Sequence, residues 1–99
     1  APAQNVTREQ MTKMFYGYAE FMDYNTMAVA DLSAFADGGS VSSWAQTMMG
    51  WAVANSLIKG VQDGNATYLR PQGVATRAEA AAILHRFDQW RVNAVVTGK

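Results

Sequence analysis

The 99-residue sequence predicts an all-α fold: three main helices joined by long loops, with a very short β-hairpin or an irregular loop between the second and third. Three observations predict it. Thr7-Arg8-Glu9-Gln10 and Thr76-Arg77-Ala78-Glu79 repeat one another, and each matches the S/T-x-x-E/Q capping box that satisfies unpaired backbone donors at a helix start. Ser43-Trp44-Ala45-Gln46 has the same form. Behind each of the three, apolar residues recur at helical spacing, while the extended stretches are too short to build a stable sheet.

The first helix is expected from about Thr7 to Met22, with Met11, Met14, Phe15, Tyr18 and Met22 along one soft face. Residues 23–42 then lose the pattern to Asp, Asn, Gly and Ser, with Met27, Val29, Leu32 and Phe35 scattered among them. This reads as a long, partly packed connection with one helical turn near 31–35. The second helix is expected from Ser43 to near Ser56, with Trp44, Met48, Trp51, Ala52 and Asn55 on one face. Ile58-Lys59-Gly60-Val61, the turn signal Asp63-Gly64-Asn65 and Tyr68-Leu69 form the extended stretch, closed by Pro71-Gln72-Gly73. From Thr76 the third helix carries Ala80, Ile83, Leu84, Phe87 and Trp90 or Arg91 inward, and Ala78, Ala81 and Ala82 let a neighbour approach closely. The tail after Asn93 is expected to fray.

Composition narrows the function. Eight basic and eight acidic side chains cancel, so the chain has no broad positive field of the kind that draws in nucleic acid or an anionic membrane. Any anion recognition must be local. With no cysteine there is no disulfide framework and no thiolate-bound metal. No apolar run approaches the ~20 residues of a membrane span, and Ala1-Pro2-Ala3 shows no leader features, so an exported chain would have lost its signal or carry it elsewhere. His85 has Asp88 three residues on, yet no nucleophile or orienting group is recognisable beside it, so no catalytic role is expected. Asp63-Gly64-Asn65-Ala66-Thr67 lacks the downstream Glu of a calcium loop and reads as a turn. No cofactor is expected.

Arg8 and Arg77 stand out. Each sits at the first helical position, where a cation faces the positive end of the helix dipole at a cost of ~0.3–1 kcal/mol. An anion docked at the helix start would turn that cost into an attraction, because guanidinium and backbone N–H groups would converge on it. The ordinary alternative is a solvated Arg whose stem covers apolar surface, or one paired with a nearby carboxylate.

An offset of 69 positions carries Thr7 onto Thr76, so the chain holds the closing half of one unit followed by one whole unit. The motifs Phe35-Ala36-Asp37, Ser43-Trp44-Ala45, Trp51-Ala52, Leu57-Ile58-Lys59-Gly60, Asp63-Gly64, Leu69-Arg70-Pro71 and Thr76-Arg77-Ala78-Glu79 through Leu84 follow in order. Together they resemble one full S-layer homology (SLH) repeat. Val6-Thr7-Arg8-Glu9-Gln10 resembles the end of the preceding one. The chain then divides into 6–22 as the closing half-repeat, 31–91 as the whole repeat and 92–99 as a tail, all in one module of residues 1–99.

The resemblance implies a noncatalytic module on the bacterial cell surface that anchors a larger protein to a secondary cell-wall polysaccharide, often at a pyruvylated amino sugar. It implies a groove in which Arg8 pairs with the ketal carboxylate, Asp37 takes sugar hydroxyls, Trp44 offers a ring face and Gly60 lies close by. Arg77 would face a following repeat. Lys59 either adds positive charge to the groove or points to water. Trp44 and Trp51 share a helical face, which on spacing alone favours core positions, and the six methionines fit gap-filling between helices. Because the family usually binds with three repeats around a pseudo-threefold spindle, a second reading stands beside the first: a self-assembly module completed by other copies or other SLH repeats.

Overall fold

The computed structural model describes residues 6–97. Three helices dominate it: α1 Arg8–Phe21, α2 Gln46–Ala54 and α3 Arg77–Thr97. Single 3-10 turns at Leu32–Ala34, Gly38–Ser40 and Ser43–Ala45 fill the first long connection, and the strands β1 Val61–Asp63 and β2 Ala66–Tyr68 form a hairpin in the second. The all-α reading holds, with the hairpin as its only sheet among the described residues.

Two of the three capping boxes form. At α1, Thr7 Oγ1 accepts the Gln10 amide proton at 3.2 Å while Gln10 Oε1 accepts that of Thr7 at 2.9 Å. At α3, Thr76 Oγ1 and Glu79 Oε1 make the same exchange at 3.1 and 2.8 Å. The third box does not form, because Ser43–Ala45 closes as a 3-10 turn through Ala45 N–H to Ser42 O at 2.8 Å. Gln46 is therefore the first residue of α2 rather than its third, and its Nε2 donates to Val41 O at 2.8 Å.

Trp51 is the centre of the core. Fully buried, it meets Tyr16 and Trp90 edge-on at ring separations of 5.3 and 5.4 Å and Phe87 at 6.4 Å. Such pairs add ~0.5–1.5 kcal/mol each beyond the area they bury. Phe15 and Phe87, the aromatics of the two repeated helices, lie 5.1 Å apart, so α1 and α3 share one aromatic seam. Trp44 is not on the Trp51 face. It sits in the 3-10 turn, 46% exposed, with Lys13 Nζ 5.7 Å from the ring centre.

The inward face of α1 is only partly the one its spacing suggests, with Met11 buried and Phe15 packed on the core as expected. Its buried positions are Glu9, Met11, Thr12 and Ala19, whereas Met14 is 67% exposed and Tyr18 and Met22 also face outward. Short side chains decide this. Ala19 and Thr12 let α2 approach, and Thr12 can be buried because its hydroxyl donates to Arg8 O at 2.8 Å. On α3, Leu84 is likewise outward, at 56% exposure. Nor does that helix fray at Asn93: it continues to Thr97, and no Gly or Pro interrupts the sequence until Gly98.

The loops are tied in by hydrogen bonds and turns of their own. α2 stops at Ala54, where Asn55 caps and Ser56 turns left-handed at φ +61°. In the hairpin, Gly64 supplies the positive φ (+66°) of a two-residue turn, and Ala36 N–H donates to Thr67 O at 2.9 Å, tying the strands to the first connection. Among the described residues no helix is long and apolar enough to cross a membrane, and no His, Asp or Glu cluster is arranged to hold a metal.

Gly50 shows how tightly the first connection packs on α2. Its carbonyl accepts Ala30 N–H at 2.9 Å, and a Cβ at this position would meet the Val29 side chain and lie 2.8 Å from Ala30 O. Gly50→Ala should therefore destabilise the domain by about 1–3 kcal/mol despite better helix propensity, visible as a lowered melting temperature. An unchanged or raised melting temperature would show that this contact yields freely.

Candidate functional site

The first turn of α1 is inserted into the loop that precedes α3. Arg8 and Glu9 donate their backbone N–H groups to Gly73 O and Pro71 O, both at 3.0 Å, while Val6 O accepts from Ala75 N–H at 2.9 Å. These are the donors a free helix start would offer to an anion. Here the protein's own carbonyls take them.

Both side chains that follow Thr7 are used as well. Glu9, only 5% exposed, accepts from Ser42 N–H at 3.1 Å and from Ser42 Oγ–H at 2.7 Å, with Gln72 Nε2 at 3.4 Å. Arg8 Nη2 straddles the Glu79 carboxylate at 2.8 and 2.6 Å, and Nη1 donates to Arg70 O at 3.4 Å. The Arg8 side chain is 15% exposed. Its guanidinium holds the Glu79 carboxyl below the ordinary value of 4.5, helped by the Thr76 N–H. The dipole cost of an Arg at the helix start is thus offset first by an internal carboxylate from the other copy of the motif.

Beside this ion pair lies a pocket of about 170 Å³, walled by Ile58, Leu69 and Ile83 and edged by Arg8, Lys59, Gly60, Glu79 and Arg86. It has room for about five waters, or for one small acidic group. Three cationic residues and one carboxylate residue line it. Arg86 is half-buried and oriented by donating Nη1 to Leu57 O at 3.2 Å; Lys59 is exposed and has no hydrogen bond or ion pair among the described residues. Gly60 is required: its φ is +82°, and a Cβ would come within 2.9 Å of both Phe35 Cε1 and Thr67 Cγ2.

Of the five residues singled out in the sequence, Arg8 and Gly60 meet at this pocket. Asp37 stands behind its wall, where its two oxygens accept Leu69 N–H at 2.7 Å and Arg70 N–H at 2.8 Å. That pairing supports the left-handed turn at Arg70 (φ +52°) and fixes the loop whose carbonyls receive α1. Trp44 is elsewhere, under Lys13. Arg77 edges a different feature, an apolar groove of about 730 Å³ between α1 and α3 that includes Met14, Tyr18 and Leu84. Asp88 pairs with Arg91 at 2.7 Å rather than with His85.

Sequence reasoning missed Arg86 and Glu79 as pocket residues, although one signal was available. Glu79, Ala82, Ile83 and Arg86 lie at i, i+3, i+4 and i+7, a single stripe of α3.

Residues 34–81 match the S-layer homology domain. The chain belongs to the S-layer homology family. It is 34% identical over 87% of its length to a surface-layer 125 kDa protein of Lysinibacillus sphaericus, and 34% identical over 85% to an exoglucanase of Acetivibrio thermocellus. It spans only 7% and 8% of those two relatives, so what aligns is a module within them. An undecaheme cytochrome from the S-layer of Carboxydothermus ferrireducens shares the SLH fold over 93% of this chain and 14% of its own, with a TM-score of 0.61 at 21% identity. SLH membership makes this a surface-anchoring module of the bacterial cell surface.

The Arg8–Glu79 pair has a definite pH signature. Because the folded Glu79 carboxyl is lowered, its contribution is fully present above the ordinary value of 4.5 and is lost as pH falls through the lowered folded value. Glu79→Gln should cost about 1 kcal/mol at neutral pH, since the pair is partly solvated. The difference in melting temperature between the variant and wild type should close as pH falls below the ordinary carboxyl value of 4.5 and through the lowered folded one. A difference that persists there would show that the cap, not the charge, is what the substitution damages.

Proposed function

We propose that this module holds a larger protein to an anionic secondary cell-wall polysaccharide without acting on it chemically. The acidic substituent, of the pyruvate-ketal class on an amino sugar, enters the pocket edged by Arg8 and Gly60. One observation carries the reading: in a chain with no net charge, three cationic residues line one pocket that holds a single carboxylate residue. In a partly apolar pocket such cations are worth more than on an open surface, and they select for a compact anion. Asp37 serves by securing the wall and the loop, and Trp44 meets the polymer only outside the pocket. No step of bond making or breaking is assigned to any residue.

A second reading, assembly with further SLH repeats or other copies of the chain, is favoured by the uncovered α1–α3 groove. Met14 and Leu84 lie open along it, and Arg77 stands at its edge with no hydrogen bond or ion pair among the described residues. A contiguous apolar surface of this kind marks a contact site. Arg77 is the counterpart of Arg8, whose partner is the Glu of the next motif along the chain, so it fits a following repeat.

Pulldown with purified wall polysaccharide should succeed for the wild-type module and fail once the ketal groups are removed. Arg8→Ala should weaken binding at least tenfold, because it also leaves Glu79 unpaired in the pocket. Undiminished binding by a folded Arg8→Ala protein at moderate salt would exclude this pocket. For assembly the measurement is solution mass: a concentration-dependent rise supports self-association, and a monomer at all concentrations leaves the groove to other repeats.

A further inference from the structure

Resting on the anionic-ligand reading of the pocket, we infer that Glu79 is its built-in counter-ion, and that Lys59 and Arg86 are the cations left to hold an incoming acidic group. Two copies of the same motif make the case. In the first, Gln10 at the third helical position closes the capping box; in the second, Glu79 closes an equivalent box with equivalent geometry. A neutral amide is therefore sufficient for the cap. The charge on Glu79 does something further, which is to occupy Arg8: both carboxylate oxygens lie within 2.8 Å of Nη2.

An acidic ligand approaching Arg8 meets a guanidinium already neutralised and a carboxylate that repels it. The other two cations are not neutralised. Arg86 gives one nitrogen to Leu57 O and keeps its other donors, while that bond, with its half-buried position, aims the guanidinium. Lys59 adds three donors on a flexible stem at the pocket's edge, directly before Gly60. Glu79 and Arg86 share the same stripe of α3, so internal anion and ligand-holding cation are set by one rigid element. Affinity is thereby restrained: the pocket retains its third cation but withholds it.

The test is calorimetric titration with two probes, a pyruvylated amino-sugar methyl glycoside and inorganic sulfate, on wild type and on Lys59→Gln, Arg86→Gln and Glu79→Gln. Lys59→Gln and Arg86→Gln should each weaken binding by about tenfold, the loss of one charge-assisted contact. Glu79→Gln should tighten it several-fold while keeping the helical circular dichroism. Lys59 is exposed, so its variant reports on the pocket without disturbing the fold. Glycoside binding that Lys59→Gln and Arg86→Gln leave unchanged overturns the inference and leaves the glycan reading standing. Sulfate binding that these variants weaken, without glycoside binding in wild type, does the reverse. A wild-type protein that takes neither probe overturns both.

Discussion

The structure depends on the first turn of α1 being buried in the loop that leads into α3. Three residues make that joint. Thr7 caps the helix, Arg8 reaches Glu79, Glu9 reaches Ser42, and the backbone of Arg8 and Glu9 fills the carbonyls of Gly73 and Pro71. A buried carboxylate such as Glu9 is tolerable only because its oxygens are met by donors, and losing one partner leaves a charge stranded. The joint therefore couples α1 to three segments distant from it in sequence: residues 40–42, the loop 70–75 and α3. Asp37 reinforces it from behind by fixing Leu69 and Arg70.

That coupling explains how a small helical domain holds long loops in place. The loops are not draped over a core; their backbone groups are partners of helix termini and of one another. It also explains why the pocket is where it is. Arg8 arrives from α1, Lys59 and Gly60 from the entry to β1, and Glu79 and Arg86 from α3, so the pocket lies where the half-repeat and the whole repeat meet. Neither part alone contains it.

Much of this was legible in the sequence because it is local. The capping boxes at Thr7 and Thr76, the turn at Gly64 and the break after α2 are short-range chemistry, and they stand where the residues put them. The Ser43 box failed for a local reason of a different kind, a competing 3-10 turn. What could not be read was where each buried face ends, since Met11, Phe15, Trp51, Ile83 and Phe87 do turn inward as their spacing predicts. Met14, Tyr18 and Leu84 look like core by spacing, but Thr12 and Ala19 determine the approach of α2, and the outward apolar residues of α1 and α3 line a shared groove instead. The partners of Arg8 and Glu9 were hidden because they stand 71 and 33 positions away. One hint was present: the two motif copies differ in their third residue, Glu9 against Ala78, and only Glu9 is buried on a partner.

The seating of the Thr7 helix against the Thr76 motif bears on how such modules can be exchanged between surface proteins. A recombination junction placed just after the first motif would keep the sequence repeat intact yet strand Ser42, Pro71, Gly73 and Glu79 without their counterparts. The structural unit is therefore out of phase with the repeat that the eye picks out. Crossovers that preserve the fold belong ahead of the Thr-Arg segment, so the helix that ends one repeat in the alignment travels with the next.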